Sequence, residues 1–160
     1  MRPLVADTGP LNYLIQIEAA EFLPALFARV WIPQGVVREL VAPAAPTKVR
    51  DWVSQLPSWC SVRGSPKSRI GPFPGLSPVD IEVLAHANEI QAVALLDDLA
   101  ARNAARRLGL AVIGTLGILE LAGAKQLLSL PRFLDRLRQT SIRLSETLYA
   151  EALSRWSSPR

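Results

Sequence analysis

The feature that most narrows the fold of this chain is an alternation. Five short apolar runs, "PLVA" at 3–6, "RVWIP" at 29–33, "WCSVR" at 59–63, "QAVALL" at 91–96 and "LAVIG" at 110–114, punctuate the sequence. Most of the stretches between them carry apolar residues at helical spacing. Leu11, Leu14 and Ile15 follow Pro10, and Asp80, Val83, Leu84 and Ala87 share one face of a later segment. Runs of this length read as buried strands. The intervening segments predict helices from Pro10 onward and over 19–28, 35–41, 47–55, 77–89, 99–108 and 115–124. Two more helices, near 130–139 and 145–156, close the chain. Strands that alternate with helices argue for an α/β domain, with a mainly parallel sheet and helices on both faces. At 160 residues the chain suits a single domain over 1–160, with the helices of 130–156 packed on it or extending it. Residues 64–78, "GSPKSRIGPFPGLSP", read as a loop.

In an open parallel sheet the ligand crevice lies beyond the carboxyl ends of the strands. Acids collect there. Asp7 directly follows the first apolar run, and Asp97 and Asp98 follow the fourth. Asp80 tops the apolar stripe of its helix, and Glu39 lies in "GVVRELV". Each has an ordinary explanation. An acid suits a helix N-terminus, and Thr8 or Gly9 caps the first helix. Ser77 and Asp80 can form a capping box, although aspartate is short for that role. One of Asp97 and Asp98 can cap the helix over 99–108. The other is surplus to capping, with Arg102 one turn on as its simplest neutraliser. Together the acids make an oxygen-only donor set, which suits magnesium or manganese. Such an ion activates water and stabilises phosphate charge.

The charge balance agrees with a nucleic-acid partner. The chain carries 18 basic and 14 acidic residues, and 15 of the basic ones are arginine. Setting Asp7, Glu39, Asp80 and Asp98 aside for an ion leaves 10 acids against those 18. That is a basic body around an acidic pocket. Other chemistries lack their parts. His86 has no nearby serine or cysteine partner for a hydrolase triad and reads as an exposed helix residue. There is no Walker lysine loop, no G-x-G-x-x-G, and no D-x-D nucleophile after the first run. Cys60 stands alone, which rules out an internal disulfide and reads as a small core residue. The four tryptophans read as packing residues. No apolar run is long enough to span a bilayer and the N-terminus lacks a signal-peptide layout, so a cytoplasmic protein is expected.

The segments "LVADTGPLNYL", "IPQGVVREL", "LSPVDIEVLAHA", "ALLDDLAARNAARRLGLAVIGTLGILELA" and "LPRFLDRLRQTSIRLSETLYAEAL" resemble the PIN-domain family, and within it the branch near VapC-type toxins. The resemblance implies a three-layer α/β/α fold with a central, mainly parallel sheet. It implies cleavage of single-stranded RNA with magnesium or manganese, and a cognate antitoxin as a partner. By position, Asp7, Glu39, Asp80 and Asp98 are the catalytic acids. Asp7, Asp80 and Asp98 would bind metal with Asp97 auxiliary, and Thr8 and Asn12 lend polar support. Lys67, Arg69, Arg102 and Arg106 are the candidate RNA contacts. This chain departs from the branch's usual Gly-Glu-Ala-Glu-Ala, since Pro78 replaces its first acid. That departure keeps open a second reading, a PIN fold retained as a binding or assembly module. The apolar helices and the tail also allow a homodimer.

Overall fold

The computed structural model describes residues 1–157. Five strands, β1 (Leu4–Ala6), β2 (Val30–Pro33), β3 (Cys60–Arg63), β4 (Val93–Leu95) and β5 (Val112–Ile113), form one sheet in the order β3-β2-β1-β4-β5. All neighbours pair in parallel, with Leu4 opposite both Val30 and Val93, and Ala6 opposite Leu95. β1 is central and every one of its residues is buried, so it needs no polar alternation.

The helices are α1 (Thr8–Gln16), α2 (Leu23–Leu26), α3 (Gln34–Leu40), α4 (Thr47–Ser54), α5 (Pro78–Ile90), α6 (Leu99–Arg107), α7 (Thr115–Ala124), α8 (Leu130–Arg138) and α9 (Glu146–Ser157). α5 lies against β1, β2 and β4 and beside α6, whereas α1 packs with α3, α4 and α7. The three-layer α/β/α architecture expected from the alternation is therefore present. The core joins Leu4, Val5, Leu95 and Leu96 of the sheet region to Leu11 and Leu14 of α1, Val83 and Leu84 of α5, and Ile118 and Leu119 of α7. Cys60 is buried, as expected.

The predicted helix over 19–28 is shorter and broken. A 3₁₀ turn at Ala20–Phe22 precedes the four-residue α2. Pro24 has no backbone N–H to continue a helix from the preceding turn, so it fits only in the first turn of a new one. At the other end, α8 buries Leu130, Phe133, Leu134 and Leu137 and packs on α7 and α9. Among the described residues no helix is long and apolar enough to cross a membrane.

The strand order sets the site. From β1 the chain moves outward through β2 and β3, then crosses back to β4 and β5 on the other side. The crossovers on either side of β1 thus diverge between β1 and β4, which leaves a crevice beyond the carboxyl ends of those two strands. Asp7 follows β1, and Asp97 and Asp98 follow β4.

Candidate active site

Asp7 is the N-cap of α1, and the Thr8 N–H donates to its Oδ1 at 2.8 Å. The cap expected at Thr8 or Gly9 sits earlier, because Thr8 already has helical geometry. Asp7 is only 9% exposed. Burial raises its carboxyl from an ordinary 3.8 to about 7, against the lowering pull of the Thr8 hydrogen bond. The charges of Asp80, Glu39 and Asp97 are the smaller contributions to that rise. These four acids therefore meet electrostatically at one place.

Glu39 is exposed on α3, and its Oε1 accepts a hydrogen bond from the Thr8 hydroxyl. Thr8 thus hydrogen-bonds two of the acids, Asp7 through its N–H and Glu39 through its hydroxyl. Asn12 is half-buried on α1 and, among the described residues, has no hydrogen bond to the acids. Asp80 and Ser77 complete a full capping box. The Asp80 N–H donates to Ser77 Oγ, and the Ser77 N–H donates to Asp80 Oδ2, both at 3.1 Å. Aspartate is long enough after all. Pro78 opens α5 at its first position, so the residue that replaces the family's acid serves the helix start.

Asp97 and Asp98 divide their work between two helices. Asp98 is the N-cap of α6, accepting from the Ala101 N–H at 3.0 Å. Asp97 reaches across to the start of α7. Its Oδ1 accepts from the Thr115 N–H at 2.8 Å and its Oδ2 from the Thr115 hydroxyl at 2.6 Å. Thr115 is fully buried. Asp97 therefore replaces the side-chain cap that Gly114 cannot supply. Gly114 leaves the room for this: a Cβ there would lie 2.7 Å from both Asp97 Oδ1 and Arg102 Nη1. Arg102 donates to the Leu96 carbonyl at 3.0 Å and forms no ion pair with either aspartate among the described residues. It is thus not the direct neutraliser expected of it.

A cleft of about 830 Å³ opens beside these acids. Asp7, Asp97, Asp98 and Arg102 line it, and Tyr13, Leu116, Ile142 and Leu144 supply apolar wall. Arg143 and Glu120 also line it. The sequence does not mark this wall, since residues 143–156 read as a tail that packs on the core or pairs in a homodimer. Its one available signal was the Ile142-Arg143-Leu144 alternation. Lys67, Arg69 and Arg106 do not line the cleft. Arg106 is in the last turn of α6, facing Asn103, and the loop bearing Lys67 and Arg69 is pinned to the C-terminal part of α5.

A match to the family model described as a PIN domain spans residues 3–158. The chain belongs to the PIN-domain family. PIN domains are nuclease-type folds that typically use divalent metals. No curated protein matches the sequence. A solved PilT N-terminus domain protein from the hyperthermophilic archaeon Sulfolobus solfataricus P2 is similar in fold, with a TM-score of 0.50 at 13% identity. The match covers 89% of this chain and 99% of that one.

The donor chemistry of this PIN domain fits a hard divalent cation. Asp7 is buried among like charges, and neither it, Glu39, Asp80, Asp97 nor Asp98 has an ion-pair partner among the described residues. A cation would relieve that repulsion. Among the described residues no group of three acids forms a ready coordination shell. Magnesium does not require one, because it commonly holds one or two carboxylates and keeps its remaining waters.

The far end of α5 is built differently. His86 was expected to be exposed but is only 1% exposed. Val83, Leu84 and Ala87 are buried on the apolar stripe, while His86 is covered by Arg63 and by the loop after β3 that Glu89 ties to this helix. Arg63 Nε donates to His86 Nδ1 at 3.0 Å, and its Nη2 pairs with Glu89 at 3.1 Å. Burial, then the Arg63 charge, hold His86 below its usual pKa and so neutral. Glu89 also accepts from the backbone of Lys67 and Ser68 and from the Ser68 hydroxyl. Those donors, Ser68 N–H foremost, lower its carboxyl to about 2.

Proposed function

We propose that this PIN domain is a magnesium- or manganese-dependent endoribonuclease acting on single-stranded RNA in the cytoplasm, the toxin of a toxin–antitoxin pair. The observation that carries this reading is Asp7, a buried carboxyl raised to about 7 among acids at the crevice between β1 and β4. Asp7 would hold the ion with Asp80, Asp97 or Asp98 at its sides, and Glu39, oriented by Thr8, would bind it or position a water. When bound, the ion lowers the pKa of a water and offsets charge on the scissile phosphate. The chain's own part is orientation. Asp97 fixes α7 against the cleft, Asp98 fixes α6, and Arg102 stands beside both for the phosphate. Lys67, Arg69 and Arg106 would contact RNA beyond the cleft.

The reading is tested with labelled single-stranded RNA and purified protein in manganese, magnesium or EDTA, beside Asp7→Asn. Cleavage should require metal and fall more than about a hundredfold in the variant, as loss of a metal-ion contribution does. Equal cleavage by the variant would remove Asp7 from the chemistry. A second reading, a binding or assembly module without catalysis, draws support from the hydrogen bonds that engage Asp80, Asp97 and Asp98 as caps. It predicts no cleavage in any metal and no calorimetric heat from millimolar manganese.

A further inference from the structure

We propose that the apolar part of the cleft seats one unstacked nucleobase, with the Tyr13 ring as its platform and Arg143 on the adjoining phosphate. This rests on the RNA reading above and names the part of the chain that would recognise a single strand. An ion needs only a few ångströms beside Asp7, whereas the cleft holds about 830 Å³, the size range of organic-ligand pockets. Its walls suit a flat aromatic ligand. Tyr13 is half-buried, and its hydroxyl shares a hydrogen bond with Ser141 Oγ at 3.3 Å, which ties the ring to the 139–148 segment. Leu116, Ile142 and Leu144 complete an apolar surround.

Arg138 pairs with Glu146 and lies 3.9 Å over the Tyr149 ring, so both ends of the 139–148 segment are anchored. Arg143 projects from the middle of that segment. It is exposed and has no hydrogen bond or ion pair among the described residues. Glu120, the acid of α7 that lines the same cleft, is already paired with Arg155. A free guanidinium flanked by two apolar cleft residues matches a nucleotide, whose base is apolar on its faces and whose phosphate accepts a paired hydrogen bond. It also separates single strands from duplexes, because a paired base must first leave its stack. The rival occupant, an apolar peptide, has no use for the unpaired guanidinium of Arg143 in the cleft wall.

The test measures binding alone, by fluorescence anisotropy in calcium, with the full chain and three labelled RNAs: a short single strand, the same strand with abasic residues, and its duplex. The intact single strand should bind about tenfold more tightly than the abasic one, the scale of one base–aromatic stack. Tyr13→Phe should keep that gap and Tyr13→Leu should close it. Arg143→Ala should weaken both single strands and lower the salt slope by about one. Equal binding of intact and abasic RNA overturns the proposal and leaves the cleft to a peptide. A gap that survives Tyr13→Leu, duplex binding as tight as single-strand binding, or no binding at all overturns it too. A protein that shows the gap but cleaves nothing keeps the base seat and loses the nuclease. One that cleaves without the gap loses the seat alone.

Discussion

At the N-terminal end of α5, Asp80 adds its charge to a group of carboxylates that form no ion pair among the described residues, and Asp7 among them is pushed up to about 7. At the C-terminal end of the same helix, about 20 Å long by its 13 residues, Glu89 collects an arginine, two backbone N–H groups and a hydroxyl, and falls to about 2. The contrast separates two uses of an acid. Glu89 is saturated with donors and closes a loop. Asp7 is left short of them, and what it lacks is what a cation supplies.

The largest break in that contrast should come from Asp7. Its carboxyl is raised, so the stability it allows is complete below about pH 4 and is lost as pH rises through about 7. At roughly 1.4 kcal/mol per pKa unit, ionising it costs up to ~4 kcal/mol. Asp7→Asn should therefore melt about 10 °C higher than the parent at pH 8 without metal. The decline between pH 4 and 7 should also disappear from its thermal melts. An unchanged melting profile would mean that the Asp7 charge is already compensated.

A smaller effect sharpens the comparison within the adjacent pair. Asp97→Ala strands the buried Thr115 hydroxyl and N–H and should cost ~2–3 kcal/mol in urea unfolding. Asp98→Ala removes one cap bond and should cost ~1 kcal/mol. Equal losses would show that the two aspartates are equivalent supports. The smallest effect belongs to the saturated end. Glu89 is depressed, so its contribution is present above about pH 4.5 and fades as pH falls toward 2. Glu89→Ala should speed hydrogen exchange at the Lys67 and Ser68 amides about tenfold at pH 7. Slow exchange at both amides in the variant would mean that the loop is held by other contacts.

The alternation of short apolar runs with helical segments was enough to read the layers and to bring Asp7, Asp97 and Asp98 to the carboxyl ends of β1 and β4, because both follow from local periodicity. Asp80 as a capping residue was equally local, since its partner is three residues away. What could not be read depends on distant partners. Asp97 meets Thr115 across 18 residues, so nothing beside the Asp-Asp pair said which helix each would serve. His86 is buried by Arg63 and a loop that belong to other parts of the chain. Residues 141–148 carry a helical tail's composition, and only packing turns them into a cleft wall.

Gly114 carries the mutational consequence of this architecture. Its φ of −107° is open to every residue, so no backbone strain reserves the position for glycine. The reservation comes from occupancy, because Asp97 and Arg102 already fill the space a methyl group would take. In a deep mutational scan a position with no chemistry of its own should therefore still register, because Asp97 and Arg102 must shift to admit a Cβ. Even alanine there would trade the bridge between β4 and α7 for a single carbon.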